Sequence, residues 1–212
     1  MITAHTRGTI AALAVAATLG LSGCGNDDRA PAGGTSGMDH SSSSAASAAP
    51  GANPSPTFDE ADVRFVRMML PHHEQAVTMS DTLLRKSGLD PRVMALAEQI
   101  KAAQQPEIET MKGWSGAWGQ PEPTGGGMGD MHVGGADGMA SDADLEELDR
   151  ADGKVAQKRY LQLMTAHHQG AVEMARVEIV DGKDPGAVQL ARDVVTTQEH
   201  EIGVMKDLLA SL

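Results

Sequence analysis

Residues 69–80 read MLPHHEQAVTMS, and residues 164–175 read MTAHHQGAVEMA. The two stretches share a methionine, a histidine pair, Ala-Val and a second methionine, all in the same register. Met69, His72, Ala76, Met79 and Leu83 step by three and four, the spacing of a helix seam that faces a bundle interior. Met164, His167, Ala171, Met174 and Glu178 repeat that spacing. His73 and His168 fall about 100° further round, on the shoulder of the seam. Adjacent residues cannot both point straight inward. One histidine of each pair is therefore expected as a ligand or core group, with its neighbour behind it or at the boundary.

The repeat continues past the histidines. QPEIETM (105–111) matches EHEIGVM (199–205), which aligns Gln104, Glu107, Ile108, Met111 and Lys112 with Gln198, Glu201, Ile202, Met205 and Lys206. Each half reads as a helical hairpin, 57–118 and 141–212, on either side of a Met- and Gly-rich loop, 119–140. Two such hairpins pack most simply as an all-α, antiparallel four-helix bundle. Thr57 and Glu60 have capping-box spacing at the first start, and Ser87-Gly88 offers a stop. Asp90-Pro91 and Asp184-Pro185 are N-cap and first-turn signals for the second and last helices. SDAD (141–144) opens a third helical region, which Gly153 is expected to interrupt and which ends near Val180. Pro71 and Pro106 fall inside helices, where each removes a backbone hydrogen bond. No stretch alternates in the manner of a strand.

Ahead of the bundle, TIAALAVAATLGL (9–21) is too short for a permanent membrane helix and reads as a secretory leader. LSGC (21–24) looks like the lipobox of bacterial lipoproteins, which implies cleavage before Cys24 and a lipid on its sulfur. The expected organisation is a signal peptide over 1–23, a Gly/Ser/Ala/Pro tether over 24–56 and a bundle over 57–212. The protein would then sit on the extracytoplasmic face of a bacterial membrane, held by its lipid anchor. Cys24 is the only cysteine, so neither a disulfide nor a thiolate site is available. A net charge of −12 argues against a nucleic-acid partner and favours attraction of cations.

Polar residues occupy seam positions that packing alone would fill with Leu or Val: His72, His167, Gln104, Gln198, Glu107 and Glu201. Buried polar groups need partners, because leaving one unpaired costs a few kcal/mol. They either satisfy one another, as a layer that fixes helix register, or bind a metal. Thioether and imidazole together suit Cu(I); calcium and magnesium want clustered carboxylates, and zinc takes His, Cys and carboxylates. A di-iron bundle would present Glu-x-x-His, and no Glu in this chain has His three positions later. The central loop adds Met128, Met131, His132 and Met139 as further candidate donors in a glycine-rich frame. Protonation of the four histidines is expected to weaken binding near or below their ordinary pKa of about 6.5.

MLPHHEQAVTM, AHHQGAVEMA and the paired EI..M elements resemble the family called domain of unknown function 305, over about residues 58–212. The resemblance implies an exported, ferritin-like four-helix fold, with copper binding and tolerance in some members. Carried over by position, it implies Met69, His72, His73, Met79, Met164, His167, His168 and Met174 as metal residues. Gln104, Glu107, Met111, Gln198, Glu201 and Met205 are the matching positions on the partner helices, as additional or supporting groups. The expected function is copper buffering, sequestration or delivery to other copper-handling proteins, without a catalytic step. The rivals are a di-metal iron or manganese oxidase and a metal-free structural envelope lipoprotein.

Overall fold

The computed structural model describes residues 57–121 and 137–212, which lie in one compact unit, Gly51–Leu212. The leader, Cys24, the tether and Met128, Met131 and His132 lie outside the described residues. The elements are α1 (Glu60–Leu84), α2 (Pro91–Ala117), α3 (Asp142–Arg150), α4 (Gly153–Asp181) and α5 (Pro185–Ser211). Helices α1 and α2 form one hairpin, α4 and α5 the other, and the two join chiefly where α1 packs on α4. The fold is all-α, a four-helix bundle with α3 as a short fifth helix.

Several boundaries differ from expectation. The first capping box is made by Asp59 and Asp62, not Thr57 and Glu60. Both carboxylates reach exposed backbone N–H groups of the first turn, which the hydroxyl two residues further out does not. Helix α1 ends at Leu84, and Gly88 takes a positive φ of 72° in the turn. The third helical region breaks at Ala151–Asp152, and Gly153 begins α4 rather than interrupting it. Asp90 and Asp184 cap α2 and α5 as expected, each followed by Pro at the first turn. Pro71 and Pro106 both lie within helices.

The direction of the helices explains the long connection between the hairpins. Phe58, just before α1, stacks on Trp118, just after α2, at 4.9 Å, so these ends share one end of the bundle. A Cβ on Gly153, at the start of α4, would lie 3.2 Å from the Ser87 carbonyl oxygen at the other end. The chain leaving α2 must therefore travel the length of the bundle before α4 begins. Helix α1 has 25 residues. At ~1.5 Å rise per residue it is about 37 Å long, which needs roughly eleven extended residues to cover. Topology alone demands a long crossover here, as in ferritin-like bundles.

One end is pinned by a buried carboxylate. Asp62 is fully buried and accepts from the backbone N–H groups of Asp59 (2.7 Å), Lys183 (3.0 Å) and Asp184 (2.8 Å). It thus ties the start of α1 to the α4–α5 turn. Glu178 is buried beside it, and burial, then the Asp62 carboxylate, push the Glu178 carboxyl up to about 8. Asp62→Ala removes the acceptor of three part-buried backbone donors. With water able to reach part of each, the expected loss is about 1–3 kcal/mol, read as a lower midpoint in urea unfolding.

Candidate metal centre

The two histidine pairs meet halfway along the α1–α4 interface. The rings of His72 and His167 lie with centroids 3.6 Å apart and an interplanar angle of 34°. His73 and His168 flank them. All four are buried, His72 at 1% and the others at 0% exposure. The shoulder expectation for His73 and His168 is thus corrected: α2 and α5 cover the flanks of the seam and enclose both residues of each pair. The antiparallel crossing of α1 and α4 places their midpoints together, so the repeat forms one shared layer.

Each flanking imidazole is held by a carboxylate from its own hairpin. His73 Nε2 lies 2.8 Å from Glu107 Oε2, and His168 Nε2 lies 2.8 Å from Glu201 Oε2. Gln99 Nε2 donates to the other oxygen of Glu201 at 3.2 Å. His72 Nε2 donates to the Asp137 carbonyl oxygen at 2.9 Å. A carboxylate or carbonyl oxygen can only accept, so the proton of each neutral ring sits on Nε2. Nδ1 then carries the lone pair, and in His72, His73 and His168 that atom is buried without a hydrogen-bond partner. His167 has no partner at either nitrogen, and Gln104 Oε1 and Gln198 Oε1 are likewise buried and unpaired. Side-chain amides and imidazoles thus leave an unusual density of unpaired acceptors in one layer, each costing about 1–3 kcal/mol.

The methionines stack above and below this layer. Met79, Met164 and Met205 belong to the core on one side; Met69, Met111 and Met174 pack on the other. The antiparallel crossing puts the methionine three residues before one histidine on the same side of the layer as the methionine seven residues after the other. Met69 and Met164 are closest along the chain, about one helical turn from His72 and His167. The Met205 sulfur accepts from Thr165 Oγ1 at 3.7 Å. Among the described residues no three His, Cys, Asp or Glu side chains converge as a ready coordination shell. A set of two imidazoles completed by thioether would not require one.

Burial disfavours the charged ring at His72, His167 and His168. Burial, then the neighbouring His73, hold His72 down to about 3. Burial and then His72 hold His167 well below the ordinary range. Burial lowers His168 against the opposing pull of Glu201. The sequence places proton competition near or below about 6.5, and in the folded protein burial moves it far below that value at His72.

Some participants lay outside the sequence reading. The crossover returns over the layer at Asp137–Ala140, and Gln75 grips it: its Nε2 donates to the Ala140 carbonyl at 2.9 Å and its Oε1 accepts from the Ala140 N–H at 2.8 Å. Gln75 occupies the position of Gly170 in the second copy, a difference visible in the aligned motifs. Met139 belongs to this segment and is half-buried, whereas the other loop candidates lie outside the described residues.

A sequence model of the family described as Domain of unknown function (DUF305) matches residues 62–209. The chain belongs to the DUF305 family. Its structure is similar to that of a putative secreted DUF305 protein from Streptomyces coelicolor, with a TM-score of 0.64 and 40% identity, over 71% of this chain and 93% of that one. It is also similar to CopM in the Cu(I)-bound form, with a TM-score of 0.59 and 30% identity, over 71% of this chain and 96% of that one. CopM has been solved in Cu(II)- and silver-bound forms too. A curated relative of this DUF305 chain, the uncharacterized protein L153 of Acanthamoeba polyphaga mimivirus, is 35% identical over 60 residues. The match spans only 40% of that relative's length.

Proposed function

We propose that the protein binds copper, taken as Cu(I), at the four-imidazole layer, with thioether from the flanking methionines. The observation that carries this reading is the orientation of the rings. In His73 and His168 a carboxylate holds Nε2–H and turns a bare, unpartnered Nδ1 into the interior, the arrangement by which proteins prepare an imidazole for a metal. The similarity to CopM supports copper as the ion. Neutral donors suit a soft monovalent cation, which brings little charge to a buried site. The role is buffering, sequestration or delivery to other copper-handling proteins. The lipobox-like LSGC stretch supports a lipid anchor at Cys24 and an extracytoplasmic location.

Cu(I) titration against a chromogenic chelator, anaerobic and reducing, tests the reading. The protein should take Cu(I) from the chelator, and a variant with alanine at His72, His73, His167 and His168 should not. Binding that survives in the variant would move the donors elsewhere, to Met128, Met131, His132 and Met139 first. Glu201→Gln, which weakens the grip on His168 without removing a donor, should cost about 10–100-fold in affinity.

A further inference from the structure

The crossover does more than connect the hairpins. Asp137 and Gly138 lie directly on α4: a Cβ on Gly170 would collide with the Asp137 carbonyl oxygen, and a Cβ on Gly138 would collide with the Ala166 carbonyl oxygen. Gly138 has φ of 73°, a conformation side chains disfavour. Two glycines facing each other, one in the crossover and one in the helix, are what let backbone meet backbone here. On the α1 side Gln75 makes two hydrogen bonds to Ala140, and His72 donates to Asp137. The segment therefore bridges α1 and α4 over the tilted His72–His167 ring pair. The two copies of the motif differ at just the place that matters: Gln75 grips on one helix where Gly170 makes room on the other.

We propose that Asp137–Ala140 is a strap covering the imidazole layer, and that Gln75 and Gly170 are the positioning residues that keep it closed. Closed, it also fixes the proton of His72 on Nε2, the service Glu107 and Glu201 perform for His73 and His168. Exchange of an ion with solvent then passes through opening of the strap. The part concerning ions rests on the copper reading; the cover itself does not.

Two measurements separate these. The first needs no metal: carbethoxylation of His72 and His167 by diethylpyrocarbonate, followed by mass spectrometry. Gln75→Ala should react at least about tenfold faster than the parent, as should Gly170→Ala, in which a stronger helix former replaces glycine. Both variants should keep the helical circular dichroism of the parent. Equal reaction rates in parent and variants would overturn the strap, whatever the metal result. The second is stopped-flow uptake of Cu(I) and its release to excess chelator. Gln75→Ala should accelerate both by a similar factor and leave the affinity within a few-fold, the signature of a cover rather than a ligand. Faster carbethoxylation with no copper uptake would leave the strap standing and overturn the copper reading. Faster carbethoxylation with unaltered uptake and release would overturn the strap as the route of exchange.

Discussion

His167→Leu is expected to make the metal-free protein more stable while abolishing tight copper binding. Neither buried His167 nitrogen makes a hydrogen bond of ordinary geometry, so the desolvation cost of the ring outweighs what its weak contact with the His72 backbone returns. Leucine has similar volume, is the better helix former and fills the same space without polar atoms. Relief of the unpaired group is worth about 1–3 kcal/mol, which in a chain of this size raises the thermal midpoint by roughly 2–4 °C per kcal/mol. The affinity for Cu(I) should fall by more than the 10–100-fold that loss of a mere supporting group costs. A structural polar layer behaves in the opposite way: breaking it destabilises the bundle and leaves metal binding unaffected. Thermal unfolding and chelator competition on the same variant distinguish the two.

The second large effect is a loss of stability in mild acid. In the unfolded chain His72 takes up a proton near its ordinary 6.5, whereas in the fold burial holds it to about 3. Between those values the unfolded state binds more protons, so stability falls as pH falls through this window. From pH 6.5 to 5, at about 1.4 kcal/mol per pH unit, His72 alone removes about 2 kcal/mol. His167 and His168 are lowered by burial too and act in the same direction. Glu178 works against them. Pushed up to about 8, it keeps its proton in the fold, and its contribution is lost as pH rises from 4.5 to 8. Three histidines against one carboxyl give a net loss in acid. Urea unfolding at pH 7, 6 and 5 should show a falling midpoint, and a flat or rising one would contradict the buried neutral layer.

The repeat made most of this legible. A histidine pair at seam positions in both halves, with Gln and Glu aligned on the partner helices, foretold the bundle and the contents of its polar layer. Glu107 and Glu201 emerge as the holders of His73 and His168 because both copies keep the same spacing. What the sequence did not disclose depends on the crossing of elements distant in the chain. Helical period alone places His73 on a shoulder; only the position of α2 shows the shoulder to be interior. The hydrogen bond that His72 makes to Asp137 goes to a backbone carbonyl, which every residue has, so no letter marks that contact. Gly138, Gly170 and Gln75 acquire meaning only once the crossover is known to run back along the bundle. For Gln75 and Gly170 the only trace is one mismatch among several between the two motifs.

In the proposed site, imidazoles present Nδ1 to the ion while Nε2 keeps its proton and its oxygen partner. Long-range proton–nitrogen NMR on nitrogen-15 histidine-labelled protein, metal-free and loaded with Cu(I), reads each ring nitrogen separately. The expected result is a large shift of Nδ1 in His73 and His168, with Nε2–H signals to Glu107 and Glu201 preserved. Loss of those Nε2–H signals, or ring nitrogens unmoved by bound copper, would contradict it.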